Sequence, residues 1–224
     1  MLENNNIVLN LLIWSIPIIF SITLHEVAHG WVANIFGDAS AKMLGRLTLN
    51  PIKHVDPIGT ILVPASLLIM SSGFLFGWAK PVPVNTRALR SPKTDMLWVA
   101  LAGPVANILM CIFWVVVLWV ANLIDQSLLL HMAGAGVFIN LLLAIFNLLP
   151  IPPLDGGRVI SSLLPNSLSY QFNQIEPYGL FILIAIMFLG VFQAVIWPIL
   201  VWCLDFLSLI SGMSIKGFIF TNLL

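Results

Sequence analysis

Residues 7–36 read IVLNLLIWSIPIIFSITLHEVAHGWVANIF. A membrane-spanning helix needs about 20 mostly apolar residues, and this run is long enough with turns to spare. Its only ionisable side chains are His25, Glu26 and His29, in its later half. Such groups near the centre of a spanning helix cost about 2.5–3.5 kcal/mol each and are usually kept for a function. Three of them within five positions call for a shared partner. The run therefore predicts both a membrane fold and a polar site inside it.

The rest of the chain agrees with a bilayer as its solvent. Of its 224 residues 60% are hydrophobic and only 8% charged, where a soluble domain has about 25% charged residues. The formal net charge is zero, which removes the electrostatic case for a nucleic-acid partner. Cys111 and Cys203 both lie in apolar runs and read as small hydrophobes rather than as a disulfide framework. The first six residues carry no Lys or Arg and no small-residue cleavage site follows the apolar run, so the opening segment reads as a resident helix rather than a signal peptide.

Further apolar segments are expected at Pro57 to about Met70, Met96 to Ala121, Leu128 to Leu149, and Tyr178 to about Ile210. The last is long for one span, and Gly190 or Pro198 could divide it. The second is short and punctured by Pro57, Gly59 and Pro64. It runs into the stretch GFLFGWAKPVPVN at 73–85, whose prolines bias the preceding residues towards extended backbone. The expected architecture is an all-α polytopic membrane protein. It is a single domain over residues 1–224, a bundle of about five to six membrane helices with a re-entrant helix/strand hairpin between the first and second full spans.

Charge placement favours the hairpin. Lys42, Arg46 and Lys53 precede the second segment; Lys80, Arg87, Arg90 and Lys93 follow it. Both flanks are basic, as expected when both face the cytoplasm. The loop from Asn122 to Ser127 then lies outside and has no Lys or Arg, while the next inner loop holds Arg158. Only Lys216 is left unassigned. Non-helical backbone at membrane depth needs protein or trapped water to satisfy it, and a polar site beside the hairpin would supply that.

The spacing of HEVAH supplies chemistry. Residues four apart lie one turn apart on one helix face, so His25 and His29 can grip one metal ion. Glu26 beside them is placed to take a proton from an attacking water. A catalytic zinc takes three protein ligands and keeps one position open. For the third ligand the reading favours Asp155, in NLLPIPPLDGGR at 147–158. Its prolines stop a helix where the chain returns to the inner face, and its glycines free the backbone to aim a side chain sideways. His54 is the next candidate; His131 falls on the outer side.

These residues also carry a resemblance. HEVAHG at 25–30, AGPVAN at 102–107 and NLLPIPPLDGGR at 147–158, in that order, resemble the site-2 protease family of intramembrane zinc metalloproteases over most of the chain. The resemblance implies His25, His29 and Asp155 as ligands of one catalytic Zn2+ and Glu26 as general base. It implies Asn147 as a side chain that holds substrate or a developing oxyanion. AGPVAN is similar to the family's helix-packing motif, which leaves Asn107 a structural role. The segment from Leu75 to Asn85 is similar to a re-entrant strand that helps present substrate. No PDZ-type insertion or C-terminal regulatory domain is read, so a compact form is expected.

The implied function is an intramembrane zinc endopeptidase acting on transmembrane proteins or peptides. It would sit in a bilayer, for this family a prokaryotic plasma membrane, with its site nearer the cytoplasmic face. Two other readings stand beside it: a non-catalytic zinc-binding membrane protein, and a metal transporter. Against the transporter, no chain of polar residues continues from the site to the other face.

Overall fold

The computed structural model describes residues 7–69, 77–190 and 192–223. The first apolar run forms α1 (Ile7–Ile35), with Pro17 inside it. One proline removes one hydrogen bond from a long ladder without ending the helix, and the Pro17 carbonyl is itself occupied by the Ser21 hydroxyl at 2.7 Å. A short α2 (Ser40–Met43) follows. Asp56 then caps a wide helical turn at Pro57–Leu62, accepting the N–H groups of Ile58 and Gly59 at 3.0 and 2.7 Å. That turn continues as α3 (Val63–Ile69).

Beyond α3, residues 77–85 carry no regular secondary structure. No strand occurs among the described residues, and residues 70–76, the expected tip of the hairpin, lie outside them. Two hydrogen bonds join residues 77–85 to the wide turn at Pro57–Leu62. Trp78 N–H donates to the Gly59 carbonyl at 3.1 Å, and the Thr60 hydroxyl donates to the Trp78 carbonyl at 2.9 Å.

The long helices α4 (Pro92–Leu123) and α5 (Ser127–Asn147) come next. They are joined by a tight turn in which Asp125 takes a positive φ of 53°, so the two must run antiparallel. With α1 they make the central three-helix pack. Trp14 of α1 meets Phe138 of α5 edge-on at 6.0 Å. Trp114 and Leu118 of α4 pack with Val137 and Leu141 of α5. Short helices α6 (Asp155–Leu163) and α7 (Asn166–Asn173) follow the proline-rich turn.

The last apolar stretch is divided. Helix α8 (Gly179–Phe188) stops before Gly190, whose φ of 75° belongs to the left-handed region. Pro198 does not interrupt the chain. It lies in the first turn of α9 (Trp197–Ser211), which continues a wide turn over Phe192–Ile196. In a first turn the missing N–H costs little. Leu200 and Leu204 of α9 and Ile215 and Ile219 of α10 (Ile215–Asn222) complete the core.

Four helices among the described residues are long and apolar enough to cross a membrane: Val8–Ile35, Pro92–Leu123, Ser127–Asn147 and Phe192–Ser211. The expected count was five to six; α3 and α8, at 7 and 10 residues, are shorter than a span needs. The outward face of α4 leaves Leu109, Phe113, Val116 and Trp119 each half-exposed or more, a contiguous apolar surface that a bilayer rather than water would cover.

Candidate metal centre

His25 and His29 project from the later part of α1, roughly 9–15 Å along the axis from its C-terminal end at 1.5 Å per residue. Asp155 is the first residue of α6. It is aimed at the two imidazoles because the N-terminus of α6 folds tightly back on the turn before it. A Cβ on Gly156 would collide with the backbone carbonyls of Leu148 and Leu149. All three side chains are buried.

The three bring one atom each to a common point. His25 Nε2 lies 3.2 Å from Asp155 Oδ2, and so does His29 Nε2. The two Nε2 atoms are 3.1 Å apart. Zinc bonds of about 2.0–2.2 Å at tetrahedral angles separate their ligand atoms by about 3.3–3.6 Å. The observed triangle needs an opening of only a few tenths of an ångström.

The donor set also fits a cation. His29 Nδ1 lies 2.6 Å from the Val99 carbonyl, which can only accept, so the proton of a neutral His29 sits on Nδ1 and the Nε2 lone pair faces inward. His25 Nδ1 lies 2.5 Å from Asn107 Oδ1. Asp155 Oδ2 is buried with no hydrogen-bond partner. Two inward lone pairs and an orphaned buried carboxylate oxygen repel one another until a positive charge lies between them.

Helix α4 supplies the floor. A Cβ on Gly103 would fall inside contact distance of His25 and His29, so only glycine leaves room for both rings. Val99, Gly103 and Asn107 are spaced by four and share one face of α4. The reading of AGPVAN as packing alone is therefore incomplete, since Asn107 touches His25 directly.

Beside the triangle opens a cleft of about 130 Å³ lined by His25, Glu26, His29, Asn147, Asp155 and Arg158, with Pro81, Val82 and Val84 on the facing wall. Glu26 Oε2 accepts the Val82 N–H at 2.7 Å. The Asn147 amide donates to the Leu143 carbonyl at 3.0 Å, which uses one of its two N–H donors. Of the other histidines, His54 binds the Thr48 carbonyl at 2.9 Å and His131 the Ser127 carbonyl at 2.7 Å. Neither joins the group, which is His25, His29 and Asp155 among the described residues. Asp56 is occupied as a helix cap.

The wall at residues 77–85 is held by residues that no motif marks. Arg46 donates to the Lys80 carbonyl at 2.9 Å, Lys80 N–H donates to the His54 carbonyl at 2.9 Å, and buried Asp38 accepts the Asn85 N–H at 2.6 Å. Burial would raise the Asp38 carboxyl, but hydrogen bonds from Ser40 and Asn85 hold it below its ordinary value.

Comparison with known proteins bears on this geometry. The model of peptidase family M50 matches residues 121–190, which include the Asn147–Arg158 motif. A Bacillus subtilis protein named "Putative zinc metalloprotease YwhC" is 42% identical over 83% of this chain and 84% of its own length. The chain belongs to peptidase family M50. A second M50 relative, named "Putative zinc metalloprotease Rip2", from Mycolicibacterium smegmatis, is 26% identical over 88% of this chain and 73% of its own. "Zinc metalloprotease MJ0392" of Methanocaldococcus jannaschii is 26% identical over 72% of this chain and 38% of its own. No solved structure matches the chain significantly. Zinc is thus the metal for which the M50 relatives are named, and His25, His29 and Asp155 are the residues here that can hold it.

Proposed function

We propose that this M50 chain is an intramembrane zinc endopeptidase that hydrolyses peptide bonds in or near transmembrane segments of membrane proteins. The observation that carries the proposal is the convergence of three ligand atoms beside a glutamate in an open cleft, in the later half of a helix long and apolar enough to cross a membrane. A closed structural site would use four protein ligands. Here three side chains converge and the fourth side opens to the cleft that Glu26 lines.

When bound, zinc supplies Lewis acidity, drawing the pKa of water towards neutrality and polarising the peptide carbonyl. The protein's own side chains do the rest. His25, His29 and Asp155 hold the ion. Glu26 takes the proton of the attacking water on the carboxylate oxygen not engaged by Val82, and delivers it to the departing amine. The unused N–H of Asn147 donates to the carbonyl oxygen as negative charge gathers there. The Val82 N–H fixes the rotamer of Glu26, so that its free oxygen faces the cleft.

A helical substrate hides its backbone and must unwind locally to be cut. The stretch at residues 77–85 borders the cleft through Pro81, Val82 and Val84, and it is the surface along which an unwound segment would lie. The basic flanks at Lys42 to Lys53 and Lys80 to Lys93 support a re-entrant hairpin with both feet in the cytoplasm. They also support a site nearer the cytoplasmic face. His25 and His29 lie in the later half of α1, the end that leads into the basic Lys42 to Lys53 stretch.

The test is Glu26→Gln in purified protein presented with a helical membrane peptide. Zinc content is expected to stay at the wild-type level while cleavage falls by a factor of about 10²–10⁴, the usual weight of a general acid–base group. Wild-type cleavage by this variant would remove Glu26 from the mechanism. Absence of cleavage by the wild type across a panel of membrane peptides, with zinc bound, would favour a non-catalytic zinc protein.

A further inference from the structure

Two buried asparagines stand behind the metal centre, on helices that contribute none of its three ligands. Asn107 of α4 and Asn140 of α5 are both fully buried. Asn107 Oδ1 lies 2.5 Å from His25 Nδ1. Asn107 Nδ2 lies 3.1 Å from Asn140 Oδ1 and 3.4 Å from the Ser21 carbonyl. Asn140 Nδ2 lies 2.8 Å from the Gly136 carbonyl.

The direction of every bond in this chain is forced. The Gly136 carbonyl can only accept, so the amide of Asn140 must turn its NH2 towards it. That leaves the Asn140 oxygen facing Asn107, which must then offer its own NH2; the Ser21 carbonyl beside it makes the same demand. The Asn107 oxygen is thereby turned to His25, whose Nδ1 must carry the proton. A neutral His25 then holds its lone pair on Nε2, the atom that faces Asp155 and His29. Turning either amide over would bring oxygen against oxygen inside a low-dielectric bundle, where unpaired polar groups are most costly.

We infer that Asn107 and Asn140 are positioning residues of the metal centre, a directional relay anchored on the Gly136 carbonyl that fixes the tautomer and ring orientation of His25 for zinc. The inference rests on the zinc-peptidase reading above. His29 needs no such relay, because its Nδ1 is held by a backbone carbonyl, that of Val99. The two ligands are thus oriented by different means, and only one of them depends on side chains. Asn107 sits one turn beyond Gly103, so a single face of α4 both makes room for the imidazoles and orients them.

The competing account is that the two amides merely bind α1, α4 and α5 together. Interhelical hydrogen bonds of that kind add modestly to stability in membranes, and losing one would leave a preformed ligand set intact. The two accounts separate in a measurement of zinc affinity by chelator competition, paired with thermal unfolding of the zinc-free protein, for the full chain in detergent. Asn107→Leu is expected to weaken zinc binding 10–100-fold, the usual weight of a partner that orients a ligating histidine. Asn107→Asp keeps an acceptor for His25 and is expected to stay within about threefold of wild type in affinity, although it sets oxygen against Asn140 and lowers the melting temperature. Asn140→Leu is expected to fall between them.

Wild-type affinity in Asn107→Leu overturns the relay, and so does an equal loss of affinity in the Leu and Asp variants. Should Asn107→Leu fail to fold, 15N-histidine spectra of the zinc-loaded wild type decide. A protonated, exchange-protected Nδ1 on His25 is expected, and an unprotonated Nδ1 overturns the assignment. Failure of the wild type to bind zinc would instead sink the metallopeptidase reading, and the relay with it.

Discussion

At the scale of single residues, the metal centre depends as much on what is missing as on what is present. Gly103 faces the two imidazoles with no side chain, and a methyl group there would occupy the space of the His25 and His29 rings. Gly103→Ala is expected to destabilise the protein by about 1–3 kcal/mol, the usual cost of overpacking a tight site, and to lower zinc affinity as the rings are displaced. Melting and zinc titration of the same sample check this; unchanged affinity would mean the rings move aside without harm. His25, Glu26 and His29 were legible because a spacing of four fixes a shared helix face whatever the fold. Asp155 was legible because its prolines and glycines mark an interruption where a side chain can be aimed. The contact of Asn107 with His25 was not, since nothing in the sequence pairs two positions 82 residues apart.

At the scale of elements, the wall at residues 77–85 is irregular backbone held in place from outside. Its backbone is held by side chains and turns from earlier in the chain: Arg46 at Lys80 and Pro81, the His54 carbonyl at Lys80, Glu26 at Val82, and Asp38 at Asn85. The wall's break from helix was legible from the prolines at 81 and 83, and residues 77–85 carry no regular secondary structure. Its anchors were not, because backbone groups as partners leave no pattern in the sequence.

The Asp38 anchor gives a pH signature. Its carboxyl is held below its ordinary value in the folded protein. The stability it contributes is therefore fully present above the unfolded-state value of about 4 and is lost as pH falls through the lower folded value. Asp38→Asn retains one acceptor and is expected to cost about 1–3 kcal/mol at neutral pH, as for a buried polar group left unsatisfied. The gap between the melting curves of wild type and variant is expected to close as the buffer is taken well below pH 4. A gap that stays constant with pH would show that the Asp38 charge does not hold the wall.

At the scale of the whole molecule, the membrane assignment came directly from composition, and four helices of sufficient length and apolarity bear it out. Among the described residues the helices long and apolar enough to span number four against the expected five to six, because hydropathy registers apolar length, while α3 and α8 are apolar and short. The break in the last stretch could be narrowed to Gly190 or Pro198 but not decided. A glycine can take a positive φ and a proline can sit in a first turn without harm, and which of these happens is set by packing. Charge follows the same large-scale order. The lone late cation, Lys216, is paired with Asp205 at 2.6 Å.

The metal centre itself belongs to this scale, because its ligands come from α1 and α6 and meet only when α4 and α5 bring those helices together. Zinc per chain, measured by elemental analysis on purified wild type, His25→Ala and Asp155→Ala, is therefore the most direct test. The wild type is expected to carry about one zinc, as a three-ligand catalytic site does, and each variant to lose most of it. Full zinc retained by Asp155→Ala would contradict the account, because the third ligand would then lie outside the group that the fold assembles.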